Sequence, residues 1–230
     1  MDLEPTGGVW VVIAAFNEEF ALAGVVAGLK GNDYRVLVVD DGSTDATGKI
    51  AAASGAAVVR HAINLGQGAA LQTGIDFALE SGAEFVVTFD ADGQHRPEDV
   101  AGLLDGLVTS RADFALGSRF LGTGRNLIPP SRRFLLRAAT WFTRLTSRLE
   151  VTDVHNGLRA MTRRGARAIK LRQNRMAHAS ELLDQIAASG LSYVELPVSV
   201  EYSRYSLAKG QKSSDALRIL LDLFVGRLHQ

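Results

Sequence analysis

Residues 84–97 read Glu84-Phe85-Val86-Val87-Thr88-Phe89-Asp90-Ala91-Asp92-Gly93-Gln94-His95-Arg96-Pro97. After Glu84 the run is apolar or β-branched as far as Phe89, as expected of a strand buried on both faces. It then breaks into two acids one residue apart, a glycine suited to a turn and an amide. Pro97 fits the first turn of a helix running to about Val108. A buried strand that ends in polar residues and leads into a helix is the unit from which parallel α/β sheets are built.

The same unit recurs on either side. Val9–Ala15 is a nearly continuous apolar run, and Glu18–Leu29 has helical periodicity. Arg35–Val39 is a second buried strand, ending in Asp40-Asp41-Gly42-Ser43-Thr44-Asp45, where Ser43 or Thr44 suits the N-cap of the next helix. Ala56–Arg60 gives a third strand, Gly66–Glu80 a helix with an apolar stripe, and Phe114–Gly117 a fifth strand. The alternation predicts a doubly wound, Rossmann-like, mostly parallel α/β sheet flanked by helices. Such sheets bind ligands beyond the carboxyl ends of their strands. Those ends carry Asn17-Glu18, Asp40-Asp41, Asp90-Ala91-Asp92 and Ser118-Arg119, so topology alone brings four polar clusters to one edge.

The second half has a different texture. Ser131–Leu149 reads as an amphipathic helix, with Arg133, Arg137, Arg144 and Arg148 on one face and Phe134, Trp141, Phe142 and Leu145 on the other. The Asp153–Arg159 segment holds Asn156 and Gly157. Ala177–Ala188 follows as a helix, Leu191–Val200 as a strand, and Ser213–Leu228 as a closing amphipathic helix. No internal repeat or long linker interrupts the 230 residues, which predicts one domain over 1–230.

Apolar residues make up 47% of the chain, enough for a sizeable core, and there is no cysteine to form disulfides or thiolate metal sites. The zero formal net charge hides a polarity. Residues 1–100 carry 15 acidic and 5 basic side chains, whereas residues 111–175 carry 3 acidic and 15 basic ones. A basic half interleaved with aromatics suits a polyanion or an anionic membrane surface. The arginines match no recognised nucleic-acid module, so nucleic acid is not expected as a partner. No stretch reaches the ~18–20 apolar residues of a membrane span, and Met1–Gly8 lacks the pattern of a secretory signal. The expectation is a soluble or peripheral cytoplasmic protein.

Hard divalent cations take oxygen ligands. Asp90 and Asp92 on a tight turn, with Gln94 as a third oxygen, suit Mg2+ or Mn2+, leave positions open for a diphosphate, and let the ion offset charge on a departing nucleoside diphosphate. Asp40 and Asp41 suit hydrogen bonds from a ribose hydroxyl or a base N–H, although helix capping by Ser43, Thr44 or Asp45 explains the same residues. The turn Asn64-Leu65-Gly66-Gln67-Gly68 leads into a helix and offers backbone N–H groups to a phosphate or serves only as an entry turn.

Taken together, VIAAFNEE at 12–19, VVDDGSTDAT at 38–47, NLGQGAALQTG at 64–74, FDADGQHRP at 89–97 and GSR at 117–119 resemble glycosyltransferase family 2 with its GT-A fold. The motifs keep family order over residues 9–120. The Asp-Ala-Asp-Gly-Gln-His version, with Asp153-Val-His-Asn-Gly-Leu-Arg159 later, is most similar to the dolichol- or polyprenyl-phosphate sugar transferases. The resemblance implies a nucleotide-sugar half over 9–120 and an acceptor half over 121–230. It implies that Ala15, Phe16, Glu18, Asp40, Asp41, Gly68, Asp90 and Ala91 line the site for a GDP- or UDP-linked sugar. Asp90, Asp92 and Gln94 would bind the metal, Arg119, Arg132 and Arg133 would face acceptor phosphate, and Lys212 would approach the donor diphosphate from a loop. Asp92, Asp153 and Arg119 are the expected catalytic residues. The Gln-x-x-Arg-Trp motif of processive synthases is absent.

The family's inverting chemistry implies one in-line displacement. A lipid phosphate acceptor is already ionised near neutral pH. A sugar hydroxyl acceptor requires a base, for which Asp153 is the candidate unless it is a structural acid paired with Arg159. Many members carry C-terminal membrane helices. Their absence here leaves a separate integral membrane partner and homo-oligomerisation as open expectations, with the chain peripheral at the inner face of the membrane. A sugar nucleotidyltransferase is disfavoured because Ala14-Ala15-Phe16-Asn17-Glu18 replaces that class's glycine-rich, basic first loop.

Overall fold

A strand whose every side chain is apolar must find a core on each face, and β1, Val9–Ala15, does so. Val9, Val11, Ile13 and Ala15 enter one hydrophobic cluster while Trp10 and Val12 enter another. The computed structural model describes residues 8–121, 149–173 and 177–201. Within them the chain runs β1, α1 (Leu22–Lys30), β2 (Arg35–Asp40), α2 (Thr47–Ala53), β3 (Ala57–Arg60), α3 (Gln67–Glu80), β4 (Phe85–Asp90), α4 (Glu98–Ser110) and β5 (Phe114–Ser118). It continues with β6 (Arg159–Thr162), α5 (Arg163–Ala168), α6 (Ala177–Ser189) and β7 (Tyr193–Pro197).

The seven described strands form one sheet in the order β3-β2-β1-β4-β6-β5-β7, parallel except for β6, which runs antiparallel to both β4 and β5. On one face lie Leu22, Val25, Val26 and Leu29 of α1 with Val100, Leu103 and Leu107 of α4. On the other lie Ala70, Leu71 and Ile75 of α3 with Leu182, Leu183 and Ile186 of α6. Burying each larger side chain contributes about 1.5–3 kcal/mol before entropy is counted.

Two features position the site. Strand order reverses between β1 and β4, which opens the crevice where doubly wound sheets bind ligands. There Ala15 pairs with Asp40 and Ala14 with Asp90, so the acid-bearing ends of β2 and β4 flank the end of β1. The antiparallel β6 starts at that same edge, with Arg159 opposite Thr88 of β4 and Leu116 of β5. It therefore delivers the preceding loop, 149–158, to the carboxyl ends of the parallel strands.

Several boundaries differ from the sequence reading. The helix expected from Glu18 starts at Leu22, because residues 17–20 are tied to the β2–α2 loop. Asn17 sits at φ +54°, its N–H donates to Ser43 Oγ at 3.0 Å, and the Glu18 N–H donates to Thr47 Oγ1 at 2.8 Å. With Ser43 so occupied, neither it nor Thr44 caps the next helix. Asp45 holds the Thr47 N–H and hydroxyl instead. The strand expected over Leu191–Val200 stops at Pro197, with Val200 returning in a single bridge to His95. The β6–α5 pair was not foreseen. The amphipathic segments 131–148 and 213–228 lie outside the described residues.

Candidate active site

The two acidic strand ends differ in what their oxygens do. At β2, Asp40 and Asp41 are buried. Asp40 Oδ1 accepts from the Ser43 N–H at 2.9 Å, and Oδ2 faces Arg60 Nε at 3.5 Å. Asp41 Oδ1 accepts from the Leu65 N–H at 2.9 Å and meets His61 Nδ1 at 2.7 Å, while Oδ2 accepts from the Gly66 N–H at 2.7 Å. Asp41 thus ties the 61–66 loop to the sheet.

At β4 the acids are less consumed. Asp90 Oδ2 meets His95 Nε2 at 3.0 Å, and the Asp90 side chain keeps 32% of its exposure. Burial opposes its charge, yet the hydrogen bond from His95 and the charges of His95, Arg159 and His178 hold its carboxyl below the usual range. Asp92 Oδ1 accepts from the Gln94 N–H at 3.0 Å and Oδ2 from Gln94 Nε2 at 2.7 Å. Burial first, then the neighbouring Asp90, pushes the Asp92 carboxyl up, with Glu18 adding to the effect. Gly93 makes the turn at φ +72°. A carboxylate pair in which charged Asp90 raises the cost of ionising Asp92, with oxygen donors only, fits a hard divalent cation. A site of one or two carboxylates that leaves the remaining positions to substrate phosphates is the pattern expected of Mg2+. His95 supports Asp90 from the side, and the Gln94 amide nitrogen is turned onto Asp92.

The third group comes from β5 and the 149–158 loop. Arg119 Nε and Nη2 donate to Asp153 Oδ2 and Oδ1 at 2.6 and 2.7 Å, and the Arg119 backbone N–H donates to Oδ2 at 3.0 Å. This is a bidentate fork of the strong kind, and both partners are buried. Burial opposes the Asp153 charge, but Arg119 holds its carboxyl below the usual range. The alternative of a structural pairing with Arg159 gives way to another partner: Asp153 is tied to Arg119, and Arg159 Nη2 donates to the Val154 carbonyl at 3.1 Å. Burial lowers Arg159 to about 10 against the opposing pull of Asp90 and Asp153. The loop is anchored from β7, where the Glu195 carboxylate accepts from the Thr152 N–H at 2.8 Å and from its hydroxyl at 3.1 Å.

A parallel sheet with acids at a β1/β4 switch point and a buried Arg–Asp fork beside them narrows the choice of family, and sequence comparison decides it. The family model described as Glycosyl transferase family 2 matches residues 10–169. The chain belongs to glycosyltransferase family 2. It is 32% identical to polyprenol monophosphomannose synthase of Mycolicibacterium smegmatis, over 90% of this chain and 82% of that one. It is 29% identical to the UDP-N-acetylglucosamine–dolichyl-phosphate N-acetylglucosaminyltransferase of Methanococcus voltae, over 94% of this chain and 95% of the relative. Glucosyl-3-phosphoglycerate synthase of Mycobacterium tuberculosis, solved with Mn2+ and UDP-glucose, shares the fold at a TM-score of 0.67 and 22% identity, covering 96% of this chain and 78% of that one. The sheet is thus a GT-A sheet and the protein a glycosyltransferase.

In this glycosyltransferase Ala15, Asp40, Asp41, Asp90, Ala91, Asp92 and Arg119 share the carboxyl edge, with Phe16 exposed at its rim and Glu18 in the adjoining turn. Gly68 is buried, and a methyl there would overlap the Gln173 carbonyl and crowd His178 Cβ, so close packing of α3 accounts for that glycine. Arg132, Arg133 and Lys212 lie outside the described residues. Sequence reading names Asn156 and quotes His155 within the 153–159 motif without a role for either, and passes over Glu195; Asn156 is buried, and His155 is half-buried with both ring nitrogens enclosed. A strand glutamate gives no local signal that it will hold a loop 42 or 43 residues away.

Proposed function

We propose that this chain transfers one sugar, with inversion, from a GDP- or UDP-linked donor to a polyprenyl-phosphate lipid. The observation that carries the reading is the Arg119–Asp153 fork beside the Asp90–Asp92 turn. A hydroxyl acceptor needs a base with a vacant, basic oxygen. Asp153 has both oxygens on Arg119 and a lowered proton affinity, which makes it a poor base. A lipid phosphate is already anionic and asks instead for a positioned cation. Asp153 is then the residue that aims Arg119, and Arg132 and Arg133 are candidates to join it. The relatives named for dolichyl- and polyprenyl-phosphate products support the same acceptor class.

On this reading Asp90 and Asp92 would hold Mg2+ or Mn2+, with Gln94 beside them, and the ion when bound would neutralise the departing diphosphate. Asp40, Ala15, Phe16, Glu18 and Ala91 would line the nucleotide side, Asp41 would shape it by holding the 61–66 loop, and Lys212 would close on the diphosphate. The whole of 1–230 acts as one domain, with 9–120 taking the donor and 121–230 the acceptor. Among the described residues no helix is long and apolar enough to cross a membrane. With a lipid acceptor the enzyme would work peripherally at the inner face of the membrane, through its basic segment or through a separate integral membrane partner.

The test offers polyprenyl phosphate and free sugars in parallel to the purified chain with UDP- and GDP-sugars and Mn2+. Sugar should move to the lipid phosphate, and excess chelator should abolish the transfer. Transfer to sugar hydroxyls alone overturns the acceptor assignment, and undiminished turnover in chelator overturns the metal.

A further inference from the structure

Buried polar atoms in folded proteins are nearly always hydrogen-bonded, so those left without a partner ask for an explanation. Among the described residues seven buried side-chain polar atoms have none, and three of them belong to the adjacent His155 and Asn156: both ring nitrogens of His155, and Asn156 Nδ2. The segment is not slack. Asp153 is locked to Arg119, Asn156 Oδ1 accepts from the Leu158 N–H at 2.9 Å, and the Thr88 hydroxyl donates to the Gly157 carbonyl at 2.7 Å. Gly157 packs so closely on Asp90 that a methyl there would overlap the carboxylate. Fixing Oδ1 on Leu158 fixes the Asn156 amide and leaves its two N–H donors pointing elsewhere.

The chemistry of these groups selects a ligand class. Burial, reinforced by Arg119, Arg159 and His178 and opposed by Asp153, lowers His155 to about 4, so near neutrality it is an uncharged ring with one donor and one acceptor. An uncharged ring and an amide are weak partners for phosphate but match hydroxyl groups, which donate and accept. Their position fits as well. The segment lies between Asp90, on the diphosphate side, and the Arg119–Asp153 fork, on the acceptor side. In a nucleotide sugar the group attached to the diphosphate and attacked by the acceptor is the sugar.

We propose that His155 and Asn156 hydrogen-bond hydroxyl groups of the transferred sugar and thereby set which sugar the enzyme accepts. This rests on the glycosyl-transfer reading above. The full chain, with Mn2+, is titrated with UDP, GDP, UDP-glucose, UDP-galactose, UDP-N-acetylglucosamine and GDP-mannose, and then compared with His155→Phe, His155→Gln, Asn156→Leu and Asn156→Ser. The wild type should prefer one sugar. His155→Phe and Asn156→Leu should weaken that nucleotide sugar about tenfold and flatten the preference, because a site built for a hydroxyl loses its discrimination when a polar partner is removed. Affinity for the free nucleoside diphosphate should stay within about twofold, which also reports that each variant is folded. His155→Gln, which keeps a donor and an acceptor, should retain most of the preference. Where Asn156→Leu does not fold, Asn156→Ser carries the test. Unchanged discrimination in the folded variants, or equal loss for free diphosphate and nucleotide sugar, overturns this inference alone. A wild type that binds no nucleotide sugar overturns the reading of function and this inference with it.

Discussion

The acid pair closing β2 and the acid pair closing β4 look alike in sequence, Asp40-Asp41-Gly42 against Asp90-Ala91-Asp92-Gly93, yet Asp41 of the one and Asp92 of the other do opposite work. At β2 the Asp41 oxygens are taken up by the Leu65 and Gly66 N–H groups and by His61. At β4, among the described residues, the Asp92 oxygens are met only by the adjacent Gln94, within its own turn, and Asp90 stands close enough to raise the proton affinity of Asp92. A carboxylate saturated by N–H groups from a distant loop is scaffold. A carboxylate crowded by a charged neighbour without such donors is stability given up for chemistry. The difference lies in the donors that surround each acid, which motif matching does not see.

The comparison breaks most visibly at Asp92. Asp92→Asn should lower transfer by about a hundred- to a thousandfold, the scale of removing one group that stabilises transition-state charge. Relieving like-charge crowding should leave the unfolding temperature unchanged or slightly raised. Steady-state rates alongside thermal unfolding check both halves, and a large drop in Tm would place Asp92 with the scaffold acids.

Asp41→Ala should show the reverse pattern. The Leu65 and Gly66 N–H groups and His61 lose their acceptor; these contacts are only part-buried and water recovers some of the loss, so at about 1–3 kcal/mol for one buried group left unsatisfied the total should be roughly 1–3 kcal/mol. Denaturant melts read it directly. The fraction that stays folded should keep metal affinity near that of the wild type, because Asp41 is spent on the 61–66 loop.

The two pairs also show what sequence could and could not reveal. Strands β1, β2, β4 and β5 were legible because burial on both faces leaves an uninterrupted apolar run, and their polar ends followed from the parallel topology. Strand β6 was not, since Arg159-Ala160-Met161-Thr162 carries a charge at its start and is only four residues long. Helix starts were misplaced where the stabilising donor and acceptor lie far apart in sequence, as Glu18 and Thr47 do. The alternative partner considered for Asp153 differs from the observed one for the same reason. Arg159 is near in sequence, but Arg119, 34 residues away, is the one β5 brings alongside.

His155 sharpens the contrast by titration. Its folded value of about 4 lies below the ordinary 6.5, so the unfolded chain binds the proton first. Stability is fully present above about pH 6.5, falls as the pH drops, and levels off near pH 4. Each pH unit between the two values is worth about 1.4 kcal/mol, a loss of roughly 3 kcal/mol across the window. His155→Gln should remove this slope from a series of denaturant melts. A slope that persists in the variant assigns the acid lability to another group.

The smallest expected effect separates two roles for Gln94. As a direct ligand its oxygen would bind the cation, and Gln94→Glu would tighten metal binding by adding charge. In this structure its amide nitrogen donates to Asp92 Oδ2, so Gln94 acts on the cation by holding Asp92 in place. Groups of that kind typically change metal affinity by about ten- to a hundredfold. Since Gln94 also offers its backbone N–H, which survives substitution, Gln94→Ala should sit at the lower end, roughly tenfold in the Mn2+ concentration for half-maximal rate, with little change in the rate at saturation. Gln94→Glu removes the donor and sets a third carboxylate against Asp90 and Asp92, so it should weaken binding at neutral pH at least as much as alanine. Tighter binding by the glutamate variant makes Gln94 a ligand and would move the boundary between scaffold and chemistry two residues further along the turn.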